Sequence, residues 1–101
     1  NDGSIPNLPK DACVEIPVFA DKDGIHKTIV GELPAHLAVL VSTTAQIENL
    51  VVRAAMAKSR ADVYHAVMMD PLCSAVCSLQ EIRNMCDLIF EKNTDYLGDY
   101  K

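Results

Sequence analysis

The stretch AHLAVLVSTTAQIENLVVRAAMAK, residues Ala35–Lys58, decides the fold. It follows Pro34, contains no Gly or Pro and is rich in good helix formers, so we predict one long helix over 34–58. Its apolar residues cover most of the circumference instead of one stripe, which is typical of a buried helix. The rest of the chain is too small to wrap such a helix, so we infer a larger parent protein or a self-associating surface.

Upstream of this helix, the sequence predicts a short sheet. Gly3, Pro6 and Pro9 disfavour regular structure, so we expect residues 1–11 to be an extended N-terminal segment. Residues 12–30 alternate β-branched and apolar residues around an Asp-Lys-Asp-Gly turn, which predicts a β-hairpin. A hairpin is marginally stable alone and must lean on helices.

Downstream, residues 59–97 carry signals for two or three shorter helices. Ser59 begins one helix, Asp70-Pro71 interrupts it, and Ser78 with Glu81 three residues later forms a capping box that starts another. The tail from Asn93 onward is expected to fray. The predicted fold class is therefore α+β and mainly α, with a hairpin, one long buried helix and shorter helices.

Composition excludes several classes of function. The chain has 101 residues, 50% of them hydrophobic and 5% aromatic, which allows one small domain at most. A net charge of −5 argues against nucleic acid and anionic membranes as partners. We find neither a signal peptide nor an apolar run of membrane length, so we expect a cytoplasmic protein with no membrane partner. Four cysteines without framework spacing favour a reducing compartment.

Few residues suggest catalytic or metal chemistry. Cys73 and Cys77 share a helical face, and with His65 they are candidate zinc ligands. Free cysteines are commonly small core residues, so no metal site is predicted. His26 and His36 lie in different elements without a nucleophile nearby and are interpreted as structural.

The remaining polar candidates lie near the start of the chain. Glu15 alternates with apolar residues on the predicted strand, where a solvated carboxylate is the simpler interpretation. Asn7-Leu8-Pro9-Lys10-Asp11 either presents polar groups to a ligand or serves in Asx turns and caps. No glycine-rich nucleotide loop and no nucleophile elbow occurs, so neither catalytic nor cofactor-binding residues are assigned.

Several short motifs together resemble one enzyme family, glycoside hydrolase family 4. The likeness runs from about Gly3 to Phe90 and is strongest to the α-galactosidase (melibiase) and α-glucosidase branch. The motifs are Ile5-Pro6-Asn7-Leu8-Pro9, Cys13-Val14-Glu15-Ile16-Pro17, Asp23-Gly24-Ile25, Val30-Gly31-Glu32-Leu33-Pro34 and Met69-Asp70-Pro71-Leu72. Val18-Phe19 departs from the pattern, since relatives often have a Cys there, and this leaves the substrate subtype open.

The resemblance implies a parent enzyme whose N-terminal Rossmann domain binds NAD. It also implies that this enzyme uses a divalent metal such as manganese. Residues 1–101 would be part of a C-terminal, substrate-side domain akin to that of lactate dehydrogenases. Such enzymes cleave glycosides by an oxidation-elimination route. The family's metal-binding Cys and His and its proton-abstracting Tyr lie upstream, so Cys13, His26, His65 and Tyr64 do not inherit those roles. Asn7 alone is carried over, as a substrate-binding residue.

Three hypotheses follow from the sequence. The first is the C-terminal part of an NAD- and metal-dependent α-glycosidase, inactive as a fragment, with an α-glycoside substrate and a homo-oligomeric state. The second is a free-standing helical interaction module that dimerises through the long helix. The third is a metal-binding module built on Cys73, Cys77 and His65.

Overall fold

A computed structural model describes every residue from Asn1 to Lys101. It confirms an α+β, mainly helical fold in which a hairpin precedes one long helix. The elements are β1 (Val18–Asp21), β2 (Gly24–Lys27), α1 (Ala35–Ala57), α2 (Arg60–Met69), α3 (Pro71–Val76), α4 (Leu79–Lys92) and α5 (Thr94–Leu97). The chain divides into two compact units, Asn1–Gln46 and Ile47–Lys101.

The first twelve residues form successive turns and not the extended segment predicted over 1–11. The Asp2 N–H donates to the Lys10 carbonyl at 2.7 Å, which brings the two ends of the segment together. Reversal of the chain is possible because Asp2 and Gly3 both adopt positive φ, at 46° and 85°. The folded segment supplies the core of the first unit, which comprises Ile5, Leu8 and Ala38 with Val14, Ile16 and Leu33 packed around them.

The hairpin is shorter than the predicted range of 12–30. β1 and β2 pair antiparallel, with Val18 opposite Lys27 and Asp21 opposite Gly24. Pro17 has no N–H to donate, although its carbonyl accepts both the N–H and the hydroxyl of Thr28. Every residue of both strands is exposed. The hairpin therefore leaves two uncovered faces.

Helix α1 begins and ends close to the predicted bounds of 34–58. The Pro34 carbonyl accepts the N–H groups of Leu37 and Ala38 in the first turn. At the other end, Lys58 adopts a φ of 50°, and the Ser59 N–H returns to the Ala54 carbonyl at 3.1 Å. This is the Schellman arrangement, in which a left-handed residue ends the helix.

Contrary to the prediction, the other residues of the chain do not bury α1. Its buried positions are the small residues Ala38, Ala45 and Ala54, whereas Val39 is 69% and Met56 is 83% exposed. The hairpin and the short helices supply too little surface to cover a helix of 23 residues. By length and composition alone α1 is able to cross a membrane, contrary to the expectation that no apolar run reaches membrane length, although the core helix of a globular protein passes the same test.

The second unit contains four short helices, one more than the largest number predicted. Ser59, Asp70 and Ser78 cap α2, α3 and α4 through side-chain bonds to backbone N–H groups, as the sequence indicated for the first and third. α4 packs against α2 and buries Ile82, Cys86 and Phe90.

The C-terminal tail closes the second unit, in contrast to the predicted fraying. The Arg60 N–H donates to the Lys101 carbonyl at 2.8 Å, and the Lys101 N–H donates to the Lys58 carbonyl at 2.9 Å. An ion pair joins Lys58 to Asp99, and the Tyr100 ring lies 5.7 Å from that of Phe90. We call this set of contacts the C-terminal clasp.

Candidate functional site

The Asn1 side chain organises the N-terminal turns. Its Nδ2 lies within hydrogen-bond distance of the carbonyls of Ile5 (2.9 Å), Leu8 (3.2 Å) and Pro9 (3.0 Å). Its Oδ1 accepts the Ile5 N–H at 2.7 Å. Sequence reasoning missed this residue, although an asparagine at the head of a turn-rich segment is a known signal for side-chain bonds to the backbone.

The Asn7 side chain spans the space between the N-terminal turns and the segment before α1. Its Nδ2 donates to the Leu33 carbonyl at 2.8 Å, and its Oδ1 accepts the Leu33 N–H at 3.0 Å. The half-buried carboxamide thus pairs with one residue as a neighbouring strand would. Each end retains capacity for one further hydrogen bond, so the substrate-binding role of Asn7 stays a prediction.

The charged groups near this segment are paired or exposed. An ion pair with Lys27 lowers the pKa of Asp2 and ties the hairpin to the N-terminal turns. A contact of 3.0 Å with the His26 ring lowers the pKa of Asp21, so this histidine has a structural partner. Glu15 is exposed and precedes β1 instead of lying in it. None of these groups is enclosed in a cleft.

The candidate zinc ligands Cys73, Cys77 and His65 do not form a three-residue cluster. His65 approaches Asp62, at 3.9 Å, and the neighbouring Asp70 carboxylate raises the pKa of the Cys73 thiol. Cys77 ends α3. Nowhere in residues 1–101 do three His, Cys, Asp or Glu side chains come together as metal ligands. The hypothesis of a metal-binding module therefore lacks a ligand set.

Two further groups lie outside any reactive arrangement. His36 is exposed in the first turn of α1. The Tyr64 hydroxyl donates to the Asp87 carboxylate, which raises the pKa of Tyr64 and keeps the phenol protonated. A phenol held in this form links α2 to α4 and is poorly placed to act as a base.

An apolar hollow of about 170 Å³ lies on the second unit. The Arg60 guanidinium stacks 4.3 Å above the Phe90 ring beside it. The lining offers almost no polar surface, so the hollow has no group that would orient a reacting substrate. It is lined by Val63, Val67, Met85, Cys86, Ile89, Phe90, Leu97 and Tyr100.

Comparison with known proteins identifies the family. Residues 1–73 match the family described as the family 4 glycosyl hydrolase C-terminal domain. The chain belongs to glycosyl hydrolase family 4. The sequence resemblance is thereby confirmed.

Relatives of this family 4 chain include two bacterial enzymes. The alpha-galactosidase of Bacillus subtilis (strain 168) is 40% identical over 101 residues, which cover all of this chain and 23% of that protein. The alpha-galactosidase of Rhizobium meliloti (strain 1021) is 32% identical over 100 residues, covering 99% of this chain and 20% of that protein. The chain therefore spans about a fifth of the length of these relatives.

A solved structure shares the fold of this family 4 chain. It is the crystal structure of a 6-phospho-alpha-glucosidase from gut microorganisms in complex with NAD and glucose-6-phosphate. The two align with a TM-score of 0.81 and 30% sequence identity, over 95% of this chain and 22% of the other. The hairpin and helices described above thus correspond to part of a larger NAD-containing enzyme structure.

Proposed function

We propose that residues 1–101 form the C-terminal, substrate-side part of an α-glycosidase of the α-galactosidase or α-glucosidase type. Identity of 40% along the whole chain to an alpha-galactosidase carries this proposal. The enzyme would depend on NAD and on a divalent metal such as manganese, and would act by oxidation and elimination. It would be a cytoplasmic homo-oligomer.

The residues present here do not themselves form a site for either cofactor. No acidic, cysteine or histidine cluster is available for a metal, and no glycine-rich loop precedes a helix to hold a dinucleotide. Both groups would be held by the rest of the polypeptide, including an N-terminal Rossmann domain. This chain would supply the Asn7 region and the packing surface of α1.

A chimeric enzyme tests the proposal. The 101 corresponding residues of the Bacillus subtilis alpha-galactosidase are replaced by this chain, and hydrolysis of a nitrophenyl α-galactoside is followed with NAD, manganese and a thiol reductant. We expect the chimera to retain hydrolysis and to lose it when NAD or the metal is withheld. Solvent deuterium should enter the released sugar, because elimination removes a carbon-bound proton.

Two controls make the result specific. The same enzyme truncated before this segment, and residues 1–101 alone, should both be inactive. A folded chimera without hydrolysis of α-galactosides, α-glucosides or their 6-phosphates would contradict the proposal. Hydrolysis without deuterium incorporation would contradict the oxidation-elimination route while leaving the glycosidase assignment standing.

A further inference from the structure

One face of α1 is exposed and apolar along most of the helix. We call it the apolar stripe. Its members follow the spacing i, i+3, i+4 and i+7 that places residues on one side of a helix, and the stripe is about 27 Å long. All eight are exposed: Leu37, Leu40, Val41, Thr44, Glu48, Val51, Val52 and Ala55.

The exposed surface is larger than an independent protein of this size would leave. The chain has an accessible surface of 7442 Å². A compact protein of 11.0 kDa exposes about 5,600 Å², and two separate compact bodies of half that mass expose about 6,800 Å² together. The measured surface exceeds both values, and the exposed hydrophobic residues Leu40, Val51 and Val52 of the stripe belong to the surface that folding of these residues leaves uncovered.

Glu48 is the single charged residue on the apolar stripe. It has no hydrogen-bond or ion-pair partner within the chain. Arg53 lies five residues later, about 140° around the helix, and so projects from another side. It belongs to a polar row with Ser42, Gln46 and Asn49. A partner that covers the stripe must therefore itself supply the group that compensates the Glu48 carboxylate.

We propose that the apolar stripe docks against a helix of the longer polypeptide that lies outside residues 1–101, and that this helix presents an Arg or Lys side chain to Glu48. The inference rests on the proposed function, because it requires that longer polypeptide. Relatives in which this segment is about a fifth of the protein have ample additional chain to supply such a helix.

Charge disfavours the two other occupants. A second copy of α1, packed in register or antiparallel, would bring two Glu48 carboxylates within about a turn of each other with no cation on either stripe. A lipid bilayer would bury Glu48 and the polar row in hydrocarbon, where carboxylates are costly. A cation-bearing helix of the same polypeptide carries neither cost.

Photo-crosslinking from the stripe identifies the occupant. The photoreactive amino acid p-benzoylphenylalanine replaces Val51 in the natural polypeptide that contains this segment, with Leu40 as a second stripe position and Gln46 as the matched position on the polar row. We expect Val51 and Leu40 to link to a peptide outside residues 1–101 of the same molecule. A covalent dimer, a lipid adduct or the absence of links from both stripe positions would each overturn the proposal.

Charge reversal tests the cation opposite Glu48. Glu48→Lys should lower the Tm of the longer polypeptide by about 4 °C or more, since it places two cations together at a buried contact. Glu91→Lys makes the same charge change at an exposed position of α4 and should leave Tm nearly unchanged. Equal changes in Tm for the two variants would refute the proposal that a cationic side chain lies opposite Glu48. Both readouts are independent of catalysis, so an inactive enzyme would still report on docking.

Discussion

Two asparagine side chains bond to backbone groups of the N-terminal segment and of Leu33 that no helix or sheet satisfies. Prolines at 6 and 9 remove donors, and the turns leave several carbonyls without a regular partner. The carboxamides of Asn1 and Asn7 satisfy them, Asn1 within the segment and Asn7 across to Leu33. Unsatisfied groups at such half-buried positions are costly, so these two residues stabilise the conformation in which Ile5 and Leu8 lie in the core.

Removing the Asn7 carboxamide should loosen this connection. Asn7→Ala leaves the Leu33 N–H and carbonyl without their partner, a loss of about 1–3 kcal/mol, so exchange of the Leu33 amide should accelerate by roughly tenfold or more. Hydrogen exchange followed by NMR or mass spectrometry measures it. Asn84→Ala, which removes an exposed bond to Gln80, is the control. Unchanged Leu33 protection would favour a ligand-binding role for Asn7 over a structural one.

Among the single elements, α4 is the helix whose N-terminus carries a full capping box. The Ser78 hydroxyl accepts the Glu81 N–H at 3.3 Å, while the Ser78 N–H donates back to the Glu81 carboxylate at 2.7 Å. These bonds satisfy donors that the first turn of a helix otherwise leaves open. The Ser78 N–H, together with the Ser78 hydroxyl, which also donates to the Glu81 carboxylate at 2.7 Å, lowers the pKa of Glu81 below its ordinary value of 4.5.

Truncating the cap should weaken α4 and change its response to acid. Ser78→Ala should cost about 1 kcal/mol of helix stability, whereas Ser74→Ala on α3 should cost little. Because the folded-state pKa of Glu81 is depressed, its contribution is present above pH 4.5 and is lost as pH falls through the lower folded value. NMR titration of the Glu81 carboxyl should show a midpoint below 4.5 that rises in Ser78→Ala. A midpoint that does not change with the substitution would contradict the hydrogen bond from the Ser78 hydroxyl to the Glu81 carboxylate.

Local and distant interactions explain which elements were predictable. The start of α1 after Pro34 and the caps at Ser59 and Ser78 depend on residues within four positions, so the sequence pattern predicts them. The Asn7–Leu33 contact joins residues 26 positions apart, and the ion pair of the C-terminal clasp joins residues 41 apart. No periodicity encodes such contacts. The turns of the first segment were mispredicted for a different reason, since they depend on the Asn1 side chain, whose local signal was missed.

For the molecule as a whole, the exposed apolar surface has opposite consequences for residues 1–101 in isolation and for a longer polypeptide that contains them. In isolation, residues 1–101 present the apolar stripe and the hairpin residues Phe19 and Ile25, 71% and 77% exposed, to water. Patches of this kind are typical of interaction surfaces or cause aggregation. Within a longer family 4 protein the stripe would be core.

One substitution should therefore act with opposite sign in the two contexts. Leu40→Glu should reduce binding of the dye ANS and self-association of the isolated chain, because it places a charge on an exposed apolar face. The same change should lower the soluble yield and the Tm of the longer polypeptide, because it buries an unpaired carboxylate. Gln46→Glu, on the polar row, is the matched control for both. Improvement in both contexts would show that the stripe faces solvent throughout.

The C-terminal clasp also sets an order of events during synthesis. Lys58 and Arg60 leave the ribosome some 40 residues ahead of their partners Asp99 and Lys101. The Lys58 carbonyl and the Arg60 N–H therefore lack these partners while the four helices of the second unit are translated. The second unit is completed by the last residues described here. A nascent chain that stalls before Tyr100 would leave the Phe90 ring without its Tyr100 contact and the Arg60 N–H without its Lys101 partner, so chaperones and proteases would meet an incompletely packed second unit.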